Sequence, residues 1–239
     1  MSGHSHFKTV AATKNANDAK KGKIFSKMAR VITIAVKEKG ADVSSNVQLK
    51  AAIEKAKEFN MPKENIERAI KKGTGELAGE ALEEVSFEGF GAGGVALIMD
   101  GITDNKNRTL GEIKGILSQY EGKLAGEGAV RWMFERKGYI VVLLEGTVKD
   151  DLEMLAIEAG AQDVKEKERI LEIYTNPEDL EKVKKTLEEK QIKIESSALE
   201  WVAKEEVIVN EKGKEKNQKL FEALDENDAI QEVYSNLKL

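Results

Sequence analysis

The chain has 239 residues, 41% hydrophobic, 34% charged and 5% aromatic, with 38 basic and 43 acidic side chains and no cysteine. Lack of cysteine excludes disulfides, thiolate chemistry and cysteine-ligated zinc or iron–sulfur centres. The longest apolar runs, GVALIM and YIVVLL, are strand-sized and too short to cross a bilayer, and the first residues lack an apolar stretch of signal-peptide length, so no membrane association is expected and a cytoplasmic protein is, or a mitochondrial-matrix one if the chain is a processed organellar member.

Charge is unevenly spread. Residues 1–72 hold 16 Lys and Arg against 7 Asp and Glu, whereas the remainder holds 22 against 36. A basic segment on an acidic chain points to a polyanionic partner for that segment, or to a solvated helical surface with an excess of lysine.

Ile24, Phe25, Met28, Val31, Ile32, Ala35 and Val36 recur at helical spacing, and Gly40 is a suitable stop. A second helix follows Asn46, with Leu49, Ala52, Ile53, Ala56 and Phe59 on one face. A third begins at Pro62, buries Ile66, Ala69 and Ile70, and ends at Gly73. Residues 74–82 read as a linker. EEVSFEG and GVALIMDG are strand-like, TLGEIKGILSQY is helix-periodic and GAVRWMFE is strand-like, with Trp132 and Phe134 expected in the core.

From Gly138 to Val202 the pattern is strand, helix, strand, then strand, helix, strand, which is the β-α-β-β-α-β unit of ferredoxin-like folds. Asn176 before Pro177 marks the second helix start. The tail adds EEVIVN (strand), EKNQKLFEALDEN (helix) and AIQEVYS (strand), too little to fold alone. It would complete the sheet begun at 83–134. The expected organisation is α+β in three domains. These are a basic helical bundle (1–78), a discontinuous α/β domain (79–135 plus 202–239) and an inserted ferredoxin-like α/β domain (136–201).

GFGAGG (Gly89–Gly94) matches G-x-G-x-x-G, but it lies between two strands with no helix following, so a hairpin connection is the better reading than a dinucleotide site. No P-loop is present, and His4 and His6, the only histidines, cannot close a zinc site alone. No catalytic residue, metal ligand or cofactor site emerges. In TDNKNRT, Asp104 or Asn107 could cap a helix, and Lys106 and Arg108 would project beside its N-terminal N–H groups, within reach of a phosphate.

The basic segment is the most informative. Lys14, Lys20, Lys21, Lys23, Lys27 and Arg30 crowd its start, and Lys23, Lys27 and Arg30 recur at i, i+4 and i+7, a single face opposite the apolar stripe. Such a face can track phosphates, with binding that weakens as salt rises. Lys71 and Lys72 extend the candidate set. No helix identifies itself as a base reader, so backbone-type contact is expected.

GHSHF, DAKKGKIFSKMAR, NMPKENIERAIKKGTGE, EEVSFEGFGAGGVAL, TDNKNRT and ALDENDAIQEVYSNLKL together resemble the YebC/PmpR family, co-linearly over essentially the whole chain. The resemblance implies a helical N-terminal domain and two ferredoxin-like α/β domains, one inserted into the other, around a central cleft, with no enzymatic activity and no cofactor. It implies a regulator of gene expression. Bacterial members commonly carry a transcriptional label, with DNA binding described for some. The family is also described as relieving stalled ribosomes at sequences such as proline runs, and its mitochondrial member is a translational activator of cytochrome c oxidase. The family start usually runs G-H-S-K-W followed by a K-H-R-K cluster, where this chain has His6, Phe7 and Ala11–Lys14, which shifts weight to Lys20–Arg30. The expected partner is therefore nucleic acid, as ribosomal RNA or DNA, bound by a monomer or weak homo-oligomer.

Overall fold

The computed structural model describes residues 18–79, 81–144, 149–167 and 169–238, with side chains from Lys21 onward. The chain divides into two compact units: Met1–Arg131 with Val207–Leu239, and Trp132–Glu206.

The first unit opens with α1 (Asp18–Lys39), α2 (Val47–Glu58) and α3 (Lys63–Thr74). Met28, Ile32, Leu49, Ala56, Met61 and Ile66 form a core of their own. Asn46 fixes the corner before α2. Its Oδ1 accepts from Leu49 N (2.9 Å), while its Nδ2 donates to Ala35 O (2.8 Å) and Gly40 O (2.7 Å). Pro62 stands one place earlier than the sequence suggests, as the residue capping α3. The stop of α3 is Gly75 (φ 80°), not Gly73. Gly73 lies within α3, where its missing side chain lets α1 approach closely; a Cβ there would sit 2.6 Å from Val36 Cβ.

The sheet of this unit runs β3-β1-β2-β8, all antiparallel. Its strands are β1 (Glu83–Phe90), β2 (Ala96–Thr103), β3 (Lys123–Ala125) and β8 (Ile230–Ser235). Helices α4 (Lys106–Gln119) and α7 (Glu211–Asp225) pack on one face through Phe87, Leu97, Met99, Ile113, Leu117, Leu220, Phe221 and Leu224. Residues 91–95 form the β1–β2 turn, in which Gly93 and Gly94 adopt φ 75° and 79°. Asn217 of α7 holds that turn by donating to Ala92 O (2.9 Å). EEVIVN does not form a strand. Val207 makes only an isolated parallel bridge to Leu237, and Ile208 is exposed.

The second unit contains β4 (Phe134–Leu143), α5 (Lys149–Ala159), β5 (Asp163–Lys167), β6 (Ile170–Thr175), α6 (Leu180–Glu189) and β7 (Ile194–Ala203). Its order β5-β6-β4-β7, all antiparallel, is the ferredoxin-like arrangement. Alternation along the strands sends Ile140, Val142, Leu171 and Ile173 to a core with Leu152 and Val183 of the helices. The opposite face carries Tyr139 and Tyr174, whose hydroxyls both donate to buried Glu172 (2.8 and 3.0 Å). Trp132 corrects the core expectation: it precedes β4 in a 3-10 turn and is 65% exposed, whereas Phe134 is buried. Asn176 makes no cap bond; its side chain is taken by Asp179 and Gln162.

Gly138, in β4, has no room for a side chain. A Cβ there would overlap the buried Thr175 Oγ1 and stand 2.9 Å from Leu180 Cβ. Gly138→Ala is expected to lower the urea-unfolding free energy by about 1–3 kcal/mol. Gly111, within α4 and facing open space, is the control: Gly111→Ala should raise it by roughly 0.5–1 kcal/mol.

Candidate nucleic-acid interface

The 22-residue helix α1 has two working faces. One is the apolar stripe that closes the bundle core. The face opposite carries Lys23, Lys27 and Arg30, expected in solvent from their spacing. That expectation fails for Lys27, which is 2% exposed. The face lies against the α/β part of the same unit, and its cations end on backbone carbonyls. Lys27 Nζ donates to Asp225 O at 2.7 Å, Arg30 Nη1 to Ile102 O at 2.8 Å, and Lys23 Nζ to Glu226 O at 3.3 Å. Lys37 extends the row to Leu82 O at 3.0 Å, and Lys55 of α2 lies 3.7 Å from Glu232 Oε1. Burial holds the Lys27 ammonium below its ordinary pKa; the charges of Asp225, Glu232 and Asp228 oppose that without cancelling it.

Helix α4 starts at Lys106, capped by Asn105, whose Oδ1 accepts from Arg108 N at 3.0 Å. The cap is thus neither Asp104 nor Asn107. Asp104 instead clasps the Arg108 guanidinium with both oxygens (2.5 and 3.1 Å), and that hydrogen bonding holds the Asp104 carboxyl below its usual range. Glu112 sits 3.6 Å from the Arg108 Nε.

Lys23, Arg30 and Arg108 converge on one polar groove of about 360 Å³. Glu112, Glu226 and Asp228 line the same groove, so its charges balance. Three predicted cations are therefore brought together, but beside acids of equal number. Lys21, Lys71, Lys72 and Lys106 stand exposed, Lys71 and Lys72 in the last turn of α3 where they complement the helix dipole. Lys14 lies outside the described residues, as does the side chain of Lys20. Lys37 and Lys55 were missed by sequence reasoning; the seven-residue spacing of Lys23, Arg30 and Lys37 was the available signal for the first.

Among the described residues no group of three His, Cys, Asp or Glu is placed to hold a metal ion, and no helix is long and apolar enough to cross a membrane.

Two family profiles cover the chain: that of the TACO1/YebC protein N-terminal domain matches residues 5–76, and that of the TACO1/YebC second and third domain matches residues 82–237. The chain belongs to the TACO1/YebC family. A family relative from Halothermothrix orenii, named a probable transcriptional regulatory protein, is 46% identical over all of this chain and 96% of its own length. A relative of the same name from Thermotoga maritima is also 46% identical, over all of this chain and 94% of its own. The crystal structure of the conserved hypothetical protein Aq1575 from Aquifex aeolicus superposes with a TM-score of 0.83 at 44% identity, covering 92% of this chain and 91% of that one. The family is thus one of regulatory proteins by name, with the mixed helix-and-sheet architecture seen here.

Proposed function

We propose that this chain is a non-enzymatic, nucleic-acid-binding regulator of gene expression, and that it works on the ribosome as a translation factor relieving stalled elongation, for example at proline runs. RNA would meet the helical bundle through Lys21, Lys23, Lys71 and Lys72, with Lys106 and Arg108 as secondary contacts, in the cytoplasm.

One observation carries the backbone-type part of this reading: among the described residues, most exposed cations of the bundle stand in the first or last turn of a helix, Lys23 and Arg68 excepted, and none of its helices offers a uniformly basic face to a groove. The outer face of α3 mixes Lys63, Glu64, Glu67 and Arg68, with Lys63 paired to Glu67 at 3.5 Å. Such a face laid in a DNA groove would set two carboxylates against phosphates or base edges. Helix-end lysines instead suit phosphates presented by a folded RNA surface.

The second reading, a DNA-binding transcriptional regulator, is favoured by the names of the relatives. It requires a duplex sequence bound about 10³-fold or more above competitor DNA.

Ribosome co-sedimentation at low and high salt tests the lead. The protein is expected in the ribosome pellet at low salt and to leave it as salt rises, with Lys71→Ala and Lys72→Ala each lowering the salt slope by about one. Recovery in the supernatant at both salts, with stalled ribosomes present, would overturn it.

A further inference from the structure

Two of the α1 cations, Lys23 and Lys27, and Lys55 of α2 are met by an acidic stretch of the same chain, DENDAIQE at 225–232. Lys27 reaches the Asp225 carbonyl, Lys23 the Glu226 carbonyl, with the Glu226 carboxylate at 4.0 Å, and Lys55 the Glu232 carboxylate. A row of cations on a helix, seated on closely spaced acidic residues and carbonyl oxygens, has the chemistry of a helix seated on phosphates.

The contact is also thin. Among the described residues, no backbone–backbone hydrogen bond joins the bundle to the sheet. Its apolar part is Val31, Ile34, Leu82 and Ile102, separate from the bundle core and from the core beneath α4 and α7. Each part therefore keeps its own core if the two come apart. A buried ammonium gains about as much from its partners as it loses in hydration, so burying Lys27 adds little to the docked state. Residues 75–82 connect the parts and include Gly75 and Gly79.

We propose that residues 225–232 are an intramolecular stand-in for a nucleic-acid backbone. In the docked chain they occupy Lys23 and Lys27, and a single RNA strand displaces them as the bundle leaves the sheet, taking its phosphates to Lys23, Lys27 and Arg30. This rests on the nucleic-acid reading above and adds an autoinhibited state to it. It gives the buried Lys27 a role that a docked bundle denies it.

The absence of cysteine makes the test direct. Glu54→Cys on α2 and Lys114→Cys on α4 place two labels at exposed positions of the full chain. Pulsed electron-spin distance measurement then reports docking, with an unstructured single-stranded RNA oligonucleotide as the probe. RNA is expected to lengthen the inter-label distance. The combined variant Asp225→Asn, Glu226→Gln, Asp228→Asn should populate the long distance without RNA and bind it about tenfold more tightly, because the competent fraction rises. Lys27→Met, shape-conserving and folded by its thermal transition, should bind RNA several-fold more weakly, by about one phosphate contact. If RNA binds with the distance unchanged and Lys27→Met binds like the parent, the bundle stays docked and this inference falls while the nucleic-acid reading stands. If neither the parent nor the neutralised variant retains RNA at low salt, the nucleic-acid reading falls and takes this inference with it.

Discussion

Glu88→Ala is expected to lower the urea-unfolding free energy by about 2–3 kcal/mol, a large share of what holds a domain of this size together. Glu88 lies in β1, 3% exposed, on the sheet face away from α4 and α7. Its carboxylate accepts from the N–H groups of Gly128 (2.8 Å), Val130 (2.8 Å) and Arg131 (3.1 Å), with the Arg131 Nε at 3.5 Å. Truncation strands the buried Val130 N–H and takes the carboxylate from the buried Arg131 Nε, losses that cost more than the bonds themselves contribute, while the exposed Gly128 N–H regains water and Arg131 Nη2 keeps its bond to Ser86 Oγ. Glu88→Gln keeps the shape and one acceptor and should lose about 1–2 kcal/mol.

The acid limb of stability gives an independent check. Burial alone would raise the Glu88 pKa; the three backbone donors and Arg131 outweigh it and hold the carboxyl below its ordinary 4.5. A carboxyl with a depressed folded pKa stabilises the fold above its unfolded pKa, and that contribution is lost as pH falls through the folded value. The parent should therefore lose stability below about pH 4.5 more steeply than Glu88→Gln, which cannot titrate there.

Asn46→Ala is expected to cost about 2–4 kcal/mol, from the lost cap of α2 and two lost donors to carbonyls. Asn46 is fully buried, so Ala35 O finds no water in compensation, while the exposed Gly40 regains some. Asn46→Asp separates the two roles. It keeps the oxygen that accepts from Leu49 N but turns a donor toward two carbonyls into an acceptor, and should destabilise at least as much as alanine. If Asn46→Asp instead behaves like the parent in urea, the cap alone matters and the double-donor account is wrong.

The helices of the bundle and the β-α-β-β-α-β unit were legible because their apolar residues keep a local period of 3.6 or 2 and their ends carry glycine, proline or asparagine. The docking face of α1 was not. Lys23, Lys27 and Arg30 sit where a solvent face belongs, and the carbonyl that takes Lys27 is at Asp225, far away in sequence. Ile34 was the overlooked signal: it lies four residues after Arg30 on the supposed polar face and packs with Leu82 and Ile102. Glu88 was hidden in the same way. Between Ser86 and Phe90 it alternates like any outward polar residue, and only the return of residues 128–131 buries it. That return also explains why GAVRWMFE is not a strand from its start: the N–H groups of Gly128, Val130 and Arg131 are spent on the Glu88 carboxylate rather than on a ladder. Of the site cations, the spacing identified Lys23, Lys27 and Arg30 as one row correctly and misjudged what the row faces.

The central claim, an RNA-directed regulator contacting backbone through its basic bundle, is tested most directly by crosslinking the tagged protein in cells and sequencing both the RNA and the DNA it carries. The account predicts recovery dominated by ribosomal RNA at a small number of positions, with Lys71→Ala and Lys72→Ala reducing it and no promoter fragment enriched. Enrichment of particular promoter DNA, with ribosomal RNA at background, would contradict it.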